Sequence, residues 1–159
     1  MVKIAYLLLC HKNAPAVIAQ AQAYVAAGDA VVVHFDKRAS AAEFDALREA
    51  FRDEPNIALA KRVACGWGEY SLVQASFNML DAARKQFDGI THFYLVSGDC
   101  YPIKSAAWIH AQLAPNDRDF IEFNDFFDVG QMNENSPAEL FHERCHRFEL
   151  VQPDSAGRK

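Results

Sequence analysis

The stretch THFYLVSGDCYPIK, residues 91–104, decides the fold. Its first half clusters Phe93, Tyr94, Leu95 and Val96, the β-branched and aromatic mixture of a buried strand, and stops abruptly at Ser97-Gly98. A central strand is expected to end there. Ser97, Gly98, Asp99 and Cys100 follow, small and polar. Pro102 then stiffens the chain, and Ser105 is placed to cap a helix over 106–113. In open α/β sheets ligands bind just past the carboxyl ends of the strands, so a site is expected at this end of the sheet.

The rest of the chain supplies the sheet. Lys3 to Cys10 is a continuous apolar run of the kind a parallel sheet buries on both faces. Asn13 caps a helix with Pro15 in its first turn, and Val17, Ile18, Ala21, Tyr24 and Val25 recur at helical spacing until Gly28-Asp29. A second strand, AVVVHF at 30–35, ends in Asp36-Lys37-Arg38. Ser40 and Glu43 form a capping box for a helix with Phe44, Leu47 and Phe51 buried, and Asn56 to Ala60 makes a short third strand. CGWGEYSLVQASFNMLDAARKQF then opens with two glycines around Trp67 and becomes a helix expected to turn Leu72, Val73, Phe77, Met79, Leu80 and Ala83 inward. Strands alternating with helices through short connections call for an α/β fold, a mostly parallel sheet with right-handed crossovers and flanking helices. Phe120 to Phe123 reads as a further strand and Ser136 to Leu150 as a helix. With no repeat or linker, 1–159 is read as a single domain.

Composition narrows the function. At 159 residues, 51% hydrophobic and 23% charged, the chain can bury a real core. A net charge of −5, with no basic cluster beyond Lys61-Arg62, argues against a nucleic-acid surface. Cys10, Cys65, Cys100 and Cys145 are too dispersed for C-x-x-C or a secreted disulfide framework, so they read as reduced thiols in a cytoplasmic protein. The apolar run after Lys3 ends at His11-Lys12-Asn13, about strand length, so it is neither a signal peptide nor a membrane span.

Each candidate residue has a bland counterpart. Asp36, at a strand's carboxyl end, either accepts hydrogen bonds from a ribose or base or merely caps a turn. Trp67 either lays its ring on a nucleobase, with flanking glycines letting the backbone come close, or plugs the core. His11 either faces a diphosphate or bonds a carbonyl. Asp99 holds a metal or caps. Two literal motifs are set aside. His142 to His146 spells H-E-x-x-H, but Arg144 and Arg147 charge a helix that a zinc peptidase keeps apolar, and few residues follow for a third ligand. Asp117-Arg118-Asp119 spells D-x-D but stands before a strand, at the wrong end for the site. Neither G-x-G-x-x-G nor G-x-x-x-x-G-K-[ST] occurs, so dinucleotide and P-loop classes lack their phosphate cradle.

LLLCHK, HFDKRAS, WGEYSLVQASFNML and FYLVSGDCYPIKS, in that order and spacing, resemble the glycosyltransferase family of core-2/I-branching β-1,6-N-acetylglucosaminyltransferases and peptide O-xylosyltransferases. The likeness covers about residues 3–113 and is nearest to bacterial members, which lack the Golgi anchor of their eukaryotic relatives. It implies a GT-A fold, a UDP-sugar donor (UDP-N-acetylglucosamine or UDP-xylose), inversion at the anomeric carbon, a glycan or peptide acceptor, and basic side chains in place of a divalent cation, so no cofactor. Carried over by position, Leu9, His11, Asp36 and Arg38 fall at the nucleotide, Trp67 presents the aromatic, and Ser97, Gly98, Asp99 and Cys100 belong to the donor-sugar loop. The branching enzymes have Asp in the column of Cys100, whereas this chain's own aspartate is Asp99.

The resemblance puts the catalytic base and the diphosphate clamp well downstream of this loop. The 159 residues are therefore expected to be the N-terminal, nucleotide-binding portion of the transferase, cytoplasmic or peripheral at a membrane, and inactive in transfer without the remainder. The competing class is a non-catalytic nucleotide- or sugar-binding module of Rossmann-like shape.

Overall fold

The computed structural model describes residues 2–115. The expected elements at 120–123 and 136–150, the D-x-D and H-E-x-x-H segments and Cys145 lie outside them. Strands β1 (Ile4–Cys10), β2 (Ala30–Phe35), β3 (Ile57–Leu59) and β4 (His92–Ser97) alternate with helices α1 (Ala14–Ala26), α2 (Ala41–Ala50), α3 (Tyr70–Gln86) and α4 (Ala106–Leu113). The four strands form one sheet, order β3-β2-β1-β4, with every pairing parallel. This is the α/β architecture that the strand-helix alternation demanded, consistent with a Rossmann-like GT-A fold.

Burial on both faces explains the composition of β1 and β2. Successive strand side chains point to opposite faces, so Ile4, Tyr6, Leu8 and Cys10 join Val31, Val33 and Phe35 in a core shared with α1 and α2. Ala5, Leu7, Ala30 and Val32 join Ala58 beneath Met79 and Ala83 of α3. The α3 side is lined with alanines because a helix lies close to it. Here the structure corrects the expected stripe: Ala75, Met79 and Ala83 are the buried positions of α3, Leu72 and Leu80 are partly buried, and Val73 and Phe77 face outward. Helical spacing of four puts 75, 79 and 83 on one line, and the bulky Val73 and Phe77 sit on another.

A second correction concerns β4. Among the described residues it is an edge strand, bonded only to β1, and Phe93, Tyr94 and Leu95 are about half exposed. Helix α4 leans toward the α1 side, where Ile109 and Leu113 pack against the core.

Local chemistry fixes the turns. Asn13 takes a left-handed backbone (φ 59°), which asparagine tolerates, and its side chain accepts from Ala16 N at the head of α1. The capping box at α2 is only half formed. Ser40 Oγ accepts from Glu43 N, but the Glu43 carboxylate accepts from Ala14 N, tying α2 to the start of α1. Asp29 is buried, accepts from Ile4 N at 2.9 Å and meets His110 Nε2 at 2.9 Å, which pins α4 to the bottom of the sheet.

Gly98 brings the β4 loop against β1: its N–H donates to Leu9 O, and a Cβ there would stand 2.8 Å from Cys10 Sγ. Cys10 is buried and has little room to retreat. Gly98→Ala is therefore expected to destabilise the protein by about 1–3 kcal/mol, the usual cost of overpacking. Urea unfolding measures it, and an unchanged midpoint would show that the close approach is not needed.

Candidate functional site

Three parallel strands end together, and their register decides what stands at the edge. Leu9 is paired with His34 on one side and Ser97 on the other, so Ser97, Leu9 and His34 form a row across β4, β1 and β2. Side chains in such a row share a face. Above it opens a cavity of about 640 Å³, within the range of small-molecule sites. Its wall includes Leu9, His11, Asp36, Arg38, Trp67 and Ser97, six of the residues expected in the site.

The far wall is a strap, residues 61–67, that runs from β3 back over the end of β2. It is attached by side chains as much as by backbone. Lys37 N donates to Val63 O at 3.0 Å, Val63 N donates to His34 Nε2 at 2.9 Å, and Cys65 N donates to Asp36 Oδ2 at 3.1 Å. Arg62 reaches back to donate to Phe35 O and Asp36 O, at 2.8 and 2.7 Å, with its guanidinium 4.0 Å from the centre of the Phe44 ring. Asp36 itself is 8% exposed, and its other oxygen accepts from Arg38 N at 2.7 Å. It caps its own turn, and it stands in the cavity wall with lone pairs to spare, since a carboxylate offers about four acceptor sites.

Trp67 is 89% exposed, which removes the core-plug reading and leaves an indole standing free at the rim. Behind it, Gly66 N donates to Ser71 Oγ, which in turn donates to Glu69 Oε2. A Cβ on Gly66 would lie 1.9 Å from Glu69 Cδ, so a larger residue there would push that exposed carboxylate aside. His11 is exposed in the wall. Gly98, Asp99 and Cys100 are adjacent to the cavity in sequence but not in its wall. Asp99 instead pairs with Lys12 at 3.3 Å, both exposed, and the Cys100 carbonyl accepts from Gln20 Nε2.

Cys10, His34, Cys65 and Leu72 were not expected in the wall. For His34 a signal existed: one polar residue in an otherwise apolar strand. Burial pushes the Cys10 thiol up to about 12, with Asp99 adding to the shift, and burial raises Cys65 as well. Both therefore stay protonated and are poor nucleophiles. Cys10, Cys65 and Cys100 are all free of disulfides. Burial also lowers the His34 pKa, against the opposing pull of Asp36, so that ring is neutral. Among the described residues, no group of three or more His, Cys, Asp and Glu is arranged to hold a metal ion.

The family model described as Branch: Core-2/I-Branching enzyme matches residues 4–137. The chain belongs to the Core-2/I-Branching enzyme family. That is a glycosyltransferase family, so a sugar donor and an acceptor are the partners of its chemistry. No curated protein matches the chain. No helix among the described residues is long and apolar enough to cross a membrane.

Asp36→Asn tests the double use of the carboxylate. The amide offers one oxygen where two backbone N–H groups, of Arg38 and Cys65, need one each, so its NH₂ must face a donor. Losing a hydrogen bond to a buried charged group costs about 1.5–3 kcal/mol, and chemical denaturation should show a loss of that size. Stability equal to wild type would mean that the strap does not depend on this carboxylate.

Proposed function

We propose that this Core-2/I-Branching family member is the nucleotide-binding portion of an inverting transferase whose donor is a UDP-sugar, UDP-N-acetylglucosamine or UDP-xylose, and whose acceptor is a glycan or protein hydroxyl. The observation that carries this reading is the cavity at the strand ends, where a buried acceptor-only carboxylate, Asp36, and a free aromatic ring, Trp67, share one wall. A nucleoside offers matching chemistry: N–H and O–H donors for the carboxylate and a flat base for the indole.

The chain's own residues bind and orient. Asp36 accepts from the base or ribose, Leu9 supplies apolar floor, and Trp67 lies on the base. His11 and Arg38 face the diphosphate, Arg38 carrying a positive charge only partly offset by Asp36 at 3.7 Å. Inverting transfer needs a carboxylate to take the acceptor proton while positive charge stabilises the departing UDP. In this reading basic side chains provide that charge, and no divalent cation is required. Ser97 to Cys100 lie beside the donor sugar, with Asp99 in place of the aspartate that branching enzymes carry one position later. That shift leaves both donor sugars open.

Calorimetry with UDP tests the reading. Base–aromatic stacking is worth about 1–3 kcal/mol, so Trp67→Ala should weaken UDP by about 5- to 150-fold, and the side chain is too exposed for the change to disturb folding. Asp36→Ala should weaken it by about 10- to 150-fold. EDTA should change neither the wild-type affinity nor the ranking. UDP binding that ignores both substitutions, or that requires manganese, would contradict the assignment.

A further inference from the structure

We infer that His34 is a positioning residue for the nucleotide cavity: its Nε2, by accepting from Val63 N, holds the 61–67 strap and the Trp67 rim where a ligand meets them. The inference rests on the nucleotide reading of this cavity and adds the condition under which the site is assembled.

The geometry gives His34 a single usable form. The ring is fully buried, and Nε2 lies 2.9 Å from Val63 N. A backbone N–H can only donate, so Nε2 must be the unprotonated nitrogen and Nδ1 carries the proton of the neutral ring. Protonating Nε2 would set N–H against N–H at that separation. The Val63 bond and an imidazolium therefore exclude one another.

The groups around the ring decide how firmly the neutral form is held. Asp36, just past the end of the same strand, favours the imidazolium, whereas Arg62 on the strap opposes it. Leu9 from β1 and Leu72 from α3, which share the cavity wall with His34, bring no charge. Cys65 on the strap stays a neutral thiol, and Glu69 at the head of α3 is engaged by Ser71. Desolvation is the largest influence and lowers the pKa from its ordinary value. The sign follows: the native state binds this proton less readily than the unfolded chain. The contribution is therefore complete at neutral pH and is lost as pH falls below the ordinary histidine range toward the depressed native value. The bond to His34 is one of three that hold Val63 and Cys65 shortly before Trp67, beside those of Val63 O with Lys37 N and of Cys65 N with Asp36, so losing it loosens the strap that leads to the rim.

The test measures UDP dissociation constants for wild type and His34→Gln between pH 7.5 and pH 5. A glutamine oxygen reaches the place of Nε2 and accepts at every pH. The ratio of the wild-type constant to the Gln constant is expected to rise on acidification, as His34 begins to take up its proton, the titration of the UDP phosphate cancelling in the ratio. A ratio that stays constant would overturn the inference. His34→Asn, too short to reach Val63, should bind weakly at both pH values, and wild-type affinity in this variant would also overturn it. A third readout needs no ligand: in the wild-type protein the Val63 amide resonance should titrate together with the His34 ring, and an amide that ignores the ring counts against the inference. A wild type that binds no UDP at pH 7.5 would sink the nucleotide reading instead, and the Val63 resonance would then decide the role of His34 by itself.

Discussion

One buried carboxylate joins the two segments that make the site. Asp36 accepts from Arg38 N with one oxygen and from Cys65 N with the other, so the end of β2 and the strap after β3 are built around the same charge. Burying a carboxylate is costly unless its lone pairs are used. Here the cost is offset by backbone N–H groups that belong to irregular chain and would otherwise need partners of their own. The strap lies outside the sheet ladder, and Asp36, His34 and the Arg62 guanidinium supply much of what a neighbouring strand would have supplied. A wall made this way has a defined shape without being a strand, which lets Gly66 and Trp67 stand at the rim.

The neighbouring chemistry is suited to holding a ligand and poorly suited to attacking one. Two thiols in the wall are kept protonated by burial, and the imidazole is committed to the strap. The exposed groups at the rim, His11, Arg38 and Trp67, are free to adjust to the diphosphate and base of the proposed nucleotide. Membership of a glycosyltransferase family gives this binding role its context. In a group-transfer enzyme, orienting the donor accounts for a large part of the rate, because reacting atoms are held in place instead of meeting by diffusion.

The sheet was legible in the sequence because its strands are continuous apolar runs ended by polar residues, and His11, Asp36 and Ser97 mark three of those ends. The face of α3 was not. Counting bulky residues favoured Val73 and Phe77, yet what packs is the small-residue line of Ala75 and Ala83 around Met79, since Ala5, Ala30 and Ala58 leave room for a close helix. The composition of β4 suggested burial on both faces, but among the described residues only β1 pairs with it. Position made Asp36 and Trp67 candidates with two readings each, and only the family resemblance gave them a place at a nucleotide. The strap was not legible, because its bonds run from side chains at the end of β2 to backbone about 29 residues away, a pairing that no local pattern encodes.

The central claim is that the cavity above Ser97, Leu9 and His34 receives a uridine nucleotide. A crystal structure of the protein with UDP tests it most directly. The base should lie against the Trp67 indole, with a donor of the uridine within hydrogen-bond distance of the Asp36 carboxylate and the diphosphate directed toward His11 and Arg38. UDP bound elsewhere on the chain, with this cavity filled only by solvent, would contradict the account.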